Sequence, residues 1–185
     1  MKKKLVGALS GAALLLALTG CSSDDSNDKL DAWAKTVCDQ ASAQTQKIND
    51  ANTAITKVDK NGKPADVKAA DSAAFQQISQ AYASLAVIVG KAGAPPVDNG
   101  TEQQKNAVAD LTKASVAYAA VKTTVDKLDT ADQAKFADGL TVASAAADKA
   151  NKTAETALNT LREGEVGKAM ANQPGCKTGA SPSAT

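Results

Sequence analysis

The residue types that most often perform chemistry are scarce in this sequence. It contains no histidine, which removes the Ser-His-Asp arrangement, the di-iron Glu-x-x-His pattern and His-ligated haem. The carboxylates comprise 16 Asp and 4 Glu, and the Asp residues fall on polar helix faces or near predicted helix starts, as solvated charges and caps do. We therefore predict no catalytic residues, no metal site and no cofactor, and we expect the protein not to be an enzyme.

The first twenty residues have the pattern of an export signal. Three lysines, Lys2 to Lys4, precede an apolar stretch from Leu5 to Leu18. This stretch is shorter than the roughly 20 apolar residues that a transmembrane helix needs. The pattern predicts a cleaved signal peptide over residues 1–20.

The end of this signal resembles the lipobox of bacterial prolipoproteins, through Leu18, Thr19, Gly20 and Cys21. The resemblance implies that Cys21 receives a diacylglyceryl group and becomes the first residue after cleavage. The protein would then be lipid-anchored at the extracytoplasmic face of the cell membrane, and residues 21–28 would form the lipidated Cys and a flexible tether. The alternative is an ordinary secretory signal that happens to contain a cysteine.

The charge pattern argues against a nucleic-acid partner. The chain has 21 Lys plus Arg and 20 Asp plus Glu, and loss of the three signal lysines leaves 18 against 20. The lysines are scattered among aspartates, whereas a nucleic-acid-binding surface needs a basic patch or stripe.

Apolar residues recur at helical spacing along most of the chain. Four amphipathic helices are predicted, the first from Leu30 to Val58 and the others starting near Asp66, Thr101 and Thr130. Thr101 with Gln104, and Thr130 with Gln133, have the spacing of capping boxes. We predict an all-α fold, an antiparallel up-down-up-down four-helix bundle over residues 29–176, followed by a disordered tail at 177–185. A single long coiled coil is the alternative, and the Gly and Pro breaks between the helices argue against it.

With Cys21 assigned to lipid, two cysteines remain in an oxidising compartment. Cys38 and Cys176 are therefore predicted to form a disulfide, with the start of helix one and the end of helix four at the same end of the bundle. The alternatives are two unpaired thiols or, less favoured, a zinc pair.

One connection has a distinctive composition. Pro95 and Pro96 stiffen it and Val97 adds an apolar contact, which makes these three residues a candidate partner-binding loop.

The mature region resembles the small secreted lipoproteins of actinobacteria, on Trp33 and Cys38, the segment Gly93–Val97 and the late Cys176. The resemblance implies no particular activity, and the use of a single arginine, Arg162, departs from it. We expect a membrane-anchored, non-enzymatic binding, interaction or structural module of the cell envelope, whose partner is an unknown envelope protein or ligand. The alternative is a binder of small ligands or cell-wall fragments, with or without hydrolytic activity, that uses a cleft between helices one and two.

Overall fold

The structure is a computed structural model that describes residues 24–59 and 62–177. These ranges contain six helices and no strand, which confirms the predicted all-α class. The helices are α1 (Asp24–Lys57), α2 (Pro64–Ala92), α3 (Gly100–Asp126), α4 (Gln133–Leu161), α5 (Gly164–Asn172) and α6 (Pro174–Lys177). The signal peptide, Cys21 and the tail from residue 178 lie outside the described residues.

The first helix begins earlier than the sequence pattern indicated. Residues 24–28, which we assigned to the tether, belong to α1. Two residues, Ser22 and Ser23, therefore lie between Cys21 and the first residue of α1.

The predicted capping box at the start of α3 is wrong. Asn99 precedes α3 in the left-handed conformation, with φ of 60°, and its side chain forms no cap. The Gln104 side chain turns towards α2 and donates to the carbonyls of Val89 and Gly90, both at 3.1 Å. A tertiary contact has therefore replaced the local one.

The predicted capping box at the start of α4 is also wrong. The cap is Asp132, whose carboxylate accepts from the backbone N–H groups of Ala134 at 3.0 Å and Lys135 at 3.1 Å. Asp, Ser and Thr are all good caps, so the helix start was predictable to within two residues while the capping residue was not. These hydrogen bonds, that of Lys135 first, lower the pKa of Asp132.

The long helices pack on one another in chain order, α1 on α2, α2 on α3 and α3 on α4. Side chains cross between neighbours along their length. Gln77 on α2 donates to the Lys47 carbonyl on α1 at 2.9 Å, and Ser79 on α2 donates to the Ser115 carbonyl on α3 at 2.9 Å. The C-terminal part reaches α1 through α5 and α6, rather than through the end of α4 as we expected.

The core is built mainly from small aliphatic side chains around one aromatic cluster. The rings of Tyr82 on α2 and Tyr118 on α3 stack with centroids 5.5 Å apart, and Phe75 lies 6.5 Å from Tyr118. The Tyr118 hydroxyl hydrogen-bonds to Asn151 on α4. Burial raises the pKa of Tyr82 to about 12, against the smaller opposing effect of Arg162, and burial also raises the pKa of Tyr118. Both phenols stay neutral near pH 7 and serve as packing groups.

Candidate functional site

The segment between α2 and α3, residues 93–99, is held in place by α1 and is called the proline loop below. The buried indole of Trp33 donates through Nε1 to the Gly93 carbonyl at 2.9 Å. This hydrogen bond joins residues 60 positions apart, so the loop is fixed to the first helix at the point where it leaves the second. The rigid scaffold thus determines the position of the loop.

The proline loop also makes a compact turn of its own. The Val97 N–H donates to the Pro95 carbonyl at 2.8 Å, and the Gly100 N–H donates to the Val97 carbonyl at 3.0 Å. A Cβ on Gly100 would lie 2.0 Å from the Pro95 carbonyl oxygen, so no larger residue fits there without movement of the backbone. Glycine at this position allows the turn to close.

The three predicted partner-binding residues have different exposures. Pro95 is buried, Pro96 is exposed, and Val97 is half-buried against the core. Only Pro96 and part of Val97 are therefore accessible to a partner, while Pro95 shapes the turn.

Next to the proline loop is an open cleft of about 570 Å³, which we call the α3–α5 cleft. The loop and the start of α3 form one wall, and the end of α4 and the start of α5 form the other. Four carboxylates line the cleft with Val97, several uncharged polar residues and a glycine, and no Lys or Arg is among its lining residues. These carboxylates are Asp98, Glu102, Glu163 and Glu165.

A single amide side chain connects the two walls of the cleft. Gln103 on α3 donates through Nε2 to the carbonyls of Glu163 at 3.3 Å and Thr160 at 3.4 Å. These carbonyls lie at the end of α4 and in the short connection to α5. The hydrogen bonds therefore hold the cleft at a defined width.

The other predicted site residues, Cys38 and Cys176, are joined by a disulfide in the structure. Their Cα atoms are 4.9 Å apart across a sequence separation of 138 residues. Cys38 is fully buried on α1, whereas Cys176 is half-buried on α6. A Cβ on Gly175 would lie 2.7 Å from the Cys38 carbonyl oxygen, so glycine permits α6 to approach the α1 backbone this closely.

A second depression, the α2–α3 groove, has a volume of about 510 Å³ and lies near the opposite end of the long helices. Each of its charged groups already has a partner within the protein. Asp126 pairs with Lys122 at 2.5 Å and accepts from Ser72 at 2.6 Å, and these contacts, Lys122 first, lower its pKa. Lys68 donates to the Leu128 carbonyl at 3.0 Å. These contacts connect α2 to α3. The charged side chains that could otherwise bind a ligand are therefore already bonded within the protein.

Neither depression lies between α1 and α2, where the alternative function expected a cleft. Within residues 24–59 and 62–177, no group of three or more Asp, Glu or Cys side chains is arranged to hold a metal ion. None of the described helices combines the length and apolar character needed to cross a bilayer. Leu18, Thr19, Gly20 and Cys21 fall outside the described ranges.

The comparisons with known proteins returned no relative. No family model, no curated protein and no solved structure matches this chain.

The sequence analysis did not predict the α3–α5 cleft, although the four Asp and Glu residues that line it can be read from the sequence. Asp98 and Glu102 are more than 60 positions from Glu163 and Glu165. They meet because α5 turns back across the end of the bundle, and the sequence pattern gave only a weakened end to the fourth helix. Gly164 and Gly167 were the available signal for a separate short helix.

Proposed function

We propose that this chain is a lipoprotein precursor whose mature domain is anchored through lipid on Cys21 at the extracytoplasmic face of the cell membrane. The signal pattern and the lipobox resemblance carry this proposal. The disulfide between Cys38 and Cys176 supports it, because stable disulfides accumulate in oxidising extracytoplasmic compartments and are rare in a reducing cytosol.

The proposed scaffold is an antiparallel bundle of four long helices with two short helices added. Hydrogen bonds between neighbouring helices support the alternating direction. Trp33, early in α1, is bonded to Gly93 at the end of α2, whereas Lys47, later in α1, is bonded to Gln77, earlier in α2. In this arrangement α5 and α6 attach the end of the chain to α1.

We propose that the domain acts by binding an envelope component and performs no reaction. The observation that carries this proposal is the proline loop, in which an exposed proline and a half-buried valine are presented by a turn with three internal or tertiary hydrogen bonds. Recognition residues are commonly found on ordered loops that a rigid scaffold positions. A preformed loop also loses little conformational entropy on binding.

The anchor is tested by replacing its proposed attachment residue. In cells supplied with labelled palmitate, the wild-type chain should incorporate label and fractionate with membranes. Cys21→Ser should incorporate none and should remain unprocessed by the lipoprotein signal peptidase. A Cys21→Ser chain that is cut before residue 21 and still labelled would exclude lipidation at Cys21.

The binding role is tested by capture from envelope extracts with the lipid-free domain. Pro96→Ser and Val97→Ser should both abolish retention of a partner that the wild-type domain captures reproducibly. Val142→Ser is the matched control, because Val142 is 62% exposed on α4 and distant from the loop in sequence. Loss of the partner with Val142→Ser, or retention with both loop variants, would exclude the proline loop as the binding site.

A further inference from the structure

The proline loop, the disulfide and the start of α1 all lie at one end of the molecule. Trp33 hydrogen-bonds to the carbonyl at the start of the loop, and Cys38 is bonded to Cys176 on α6. Helix α5, which precedes α6, packs on α1 and carries two of the α3–α5 cleft residues. We call this end the anchor end, because α1 begins there.

The opposite end is formed by the end of α1, the start of α2 and the connection over residues 127–132, and we call it the far end. Lys68, near the start of α2, donates to the Leu128 carbonyl just after α3, so the start of α2 and this connection are neighbours. Helix α1 has 34 residues, which at 1.5 Å per residue gives a length of about 50 Å. The far end is therefore about 50 Å from the first residue of α1.

The chain between the proposed lipid and the helix is short. The three residue steps from Cys21 to Asp24 span at most about 11 Å when fully extended. Trp33 is nine positions after Asp24, or about 14 Å further along the helix axis. The start of the proline loop is thus within about 25 Å of the lipid attachment point, measured along α1.

Within residues 24–59 and 62–177, the sides of the bundle show no apolar surface that would hold it flat on a membrane. An amphipathic surface that binds a bilayer needs a continuous apolar stripe. The large hydrophobic side chains that are exposed in the described structure are three valines, each on a different helix: Val87, Val116 and Val142. The exposed face of α1 mixes both charges, including the pair of Lys35 and Asp39.

We infer that the domain stands on its anchor end, with the proline loop and α5 facing the bilayer, and with the end of α1, the start of α2 and the connection 127–132 directed away from it. This inference rests on the proposed lipid at Cys21. The proline loop then lies on the membrane-facing side of the domain, where a partner that is itself at the membrane surface can reach Pro96 and Val97. A soluble partner would meet the far end first.

The orientation can be measured on the full-length lipoprotein reconstituted in vesicles whose lipid headgroups carry a nitroxide quencher. Two exposed alanines can be replaced by cysteine to attach a thiol-reactive fluorophore. Ala171→Cys lies on α5, and Ala131→Cys lies in the connection 127–132 at the far end. Quenching should be stronger for the label at residue 171 than for the label at residue 131. A control chain with about 30 Gly and Ser residues inserted after Ser23 should lose this difference, because such a linker behaves as a flexible coil.

Equal quenching at both positions, or stronger quenching at residue 131, would overturn the inferred orientation while the anchor remained intact. Failure of the unlabelled chain to associate with the vesicles is a separate result. It would overturn the proposed lipidation, and the orientation would be overturned with it.

Discussion

Loss of the disulfide should lower the free energy of unfolding without reducing the helix content of the folded protein. In the chain-entropy model, a cross-link between residues 138 apart contributes at most about 5 kcal/mol to the free energy of unfolding, by restricting the unfolded chain. Residual unfolded-state structure lowers this value, so we expect each of Cys38→Ser and Cys176→Ser to cost about 2–4 kcal/mol. The loss should be concentrated in α5 and α6, which the bond ties to α1.

The two single variants should differ slightly, because Cys38 is fully buried and Cys176 is half-buried. The Cys38 sulfur lies 3.8 Å from the Met170 carbonyl oxygen, a distance too long for a hydrogen bond from a serine hydroxyl at position 38. Both singles remove the same covalent bond. The double variant should therefore be no less stable than the worse single, and the two effects should be far from additive.

Urea unfolding of the lipid-free domain, followed by far-UV circular dichroism, measures these changes. The wild-type protein under reducing conditions is the control and should behave like the single variants. Two alkylatable thiols at Cys38 and Cys176 in freshly isolated, unreduced protein would refute the pairing. Additive losses in the double variant would refute the explanation by a shared bond.

Four further variants test other contacts, each by urea unfolding. Gly100→Ala should destabilise by about 2 kcal/mol or more, since its Cβ would lie 2.0 Å from the Pro95 oxygen, whereas Gly90→Ala, with its nearest neighbour at 3.9 Å, should stabilise by about 0.5–1 kcal/mol. A Gly100→Ala variant as stable as wild type would contradict the described turn. Trp33→Phe should cost about 1 kcal/mol by removing the hydrogen bond that fixes the proline loop, and faster amide exchange in that loop should accompany it. The pKa of Asp132 is lowered by the N–H groups it caps, so its stabilisation is complete above its usual pKa near 3.8 and is lost as the pH falls through the lower folded value. Asp132→Asn, which keeps the cap without the charge, should lose less stability than wild type between pH 7 and pH 3, and an equal loss would refute that linkage.

Local residue patterns were sufficient to predict the fold class, several helix boundaries and the cysteine pairing of this protein. Apolar positions at helical spacing predicted an all-helical domain, because a helix surface has a fixed period that does not depend on its partners. Pro64 and the segment Gly93–Pro96 marked helix boundaries, since proline removes a backbone donor and restricts its neighbour wherever it occurs. The even number of cysteines after Cys21 gave the pairing of Cys38 with Cys176 without any structural information.

Only the tertiary structure decided how the ends of these elements meet. The sequence indicated Gln104 as a capping residue for its own helix. An amide side chain can donate to any acceptor that the packing of the helices places near it, and here the acceptors are backbone carbonyls on α2. It likewise could not show that Pro95 is buried while Pro96 is exposed, because adjacent residues of the same type differ only in their surroundings. The carboxylates of the α3–α5 cleft are distant in sequence and converge because α5 crosses back over the anchor end. Such convergence depends on the direction of a turn of two residues between α4 and α5, and a helical period contains no information about that direction.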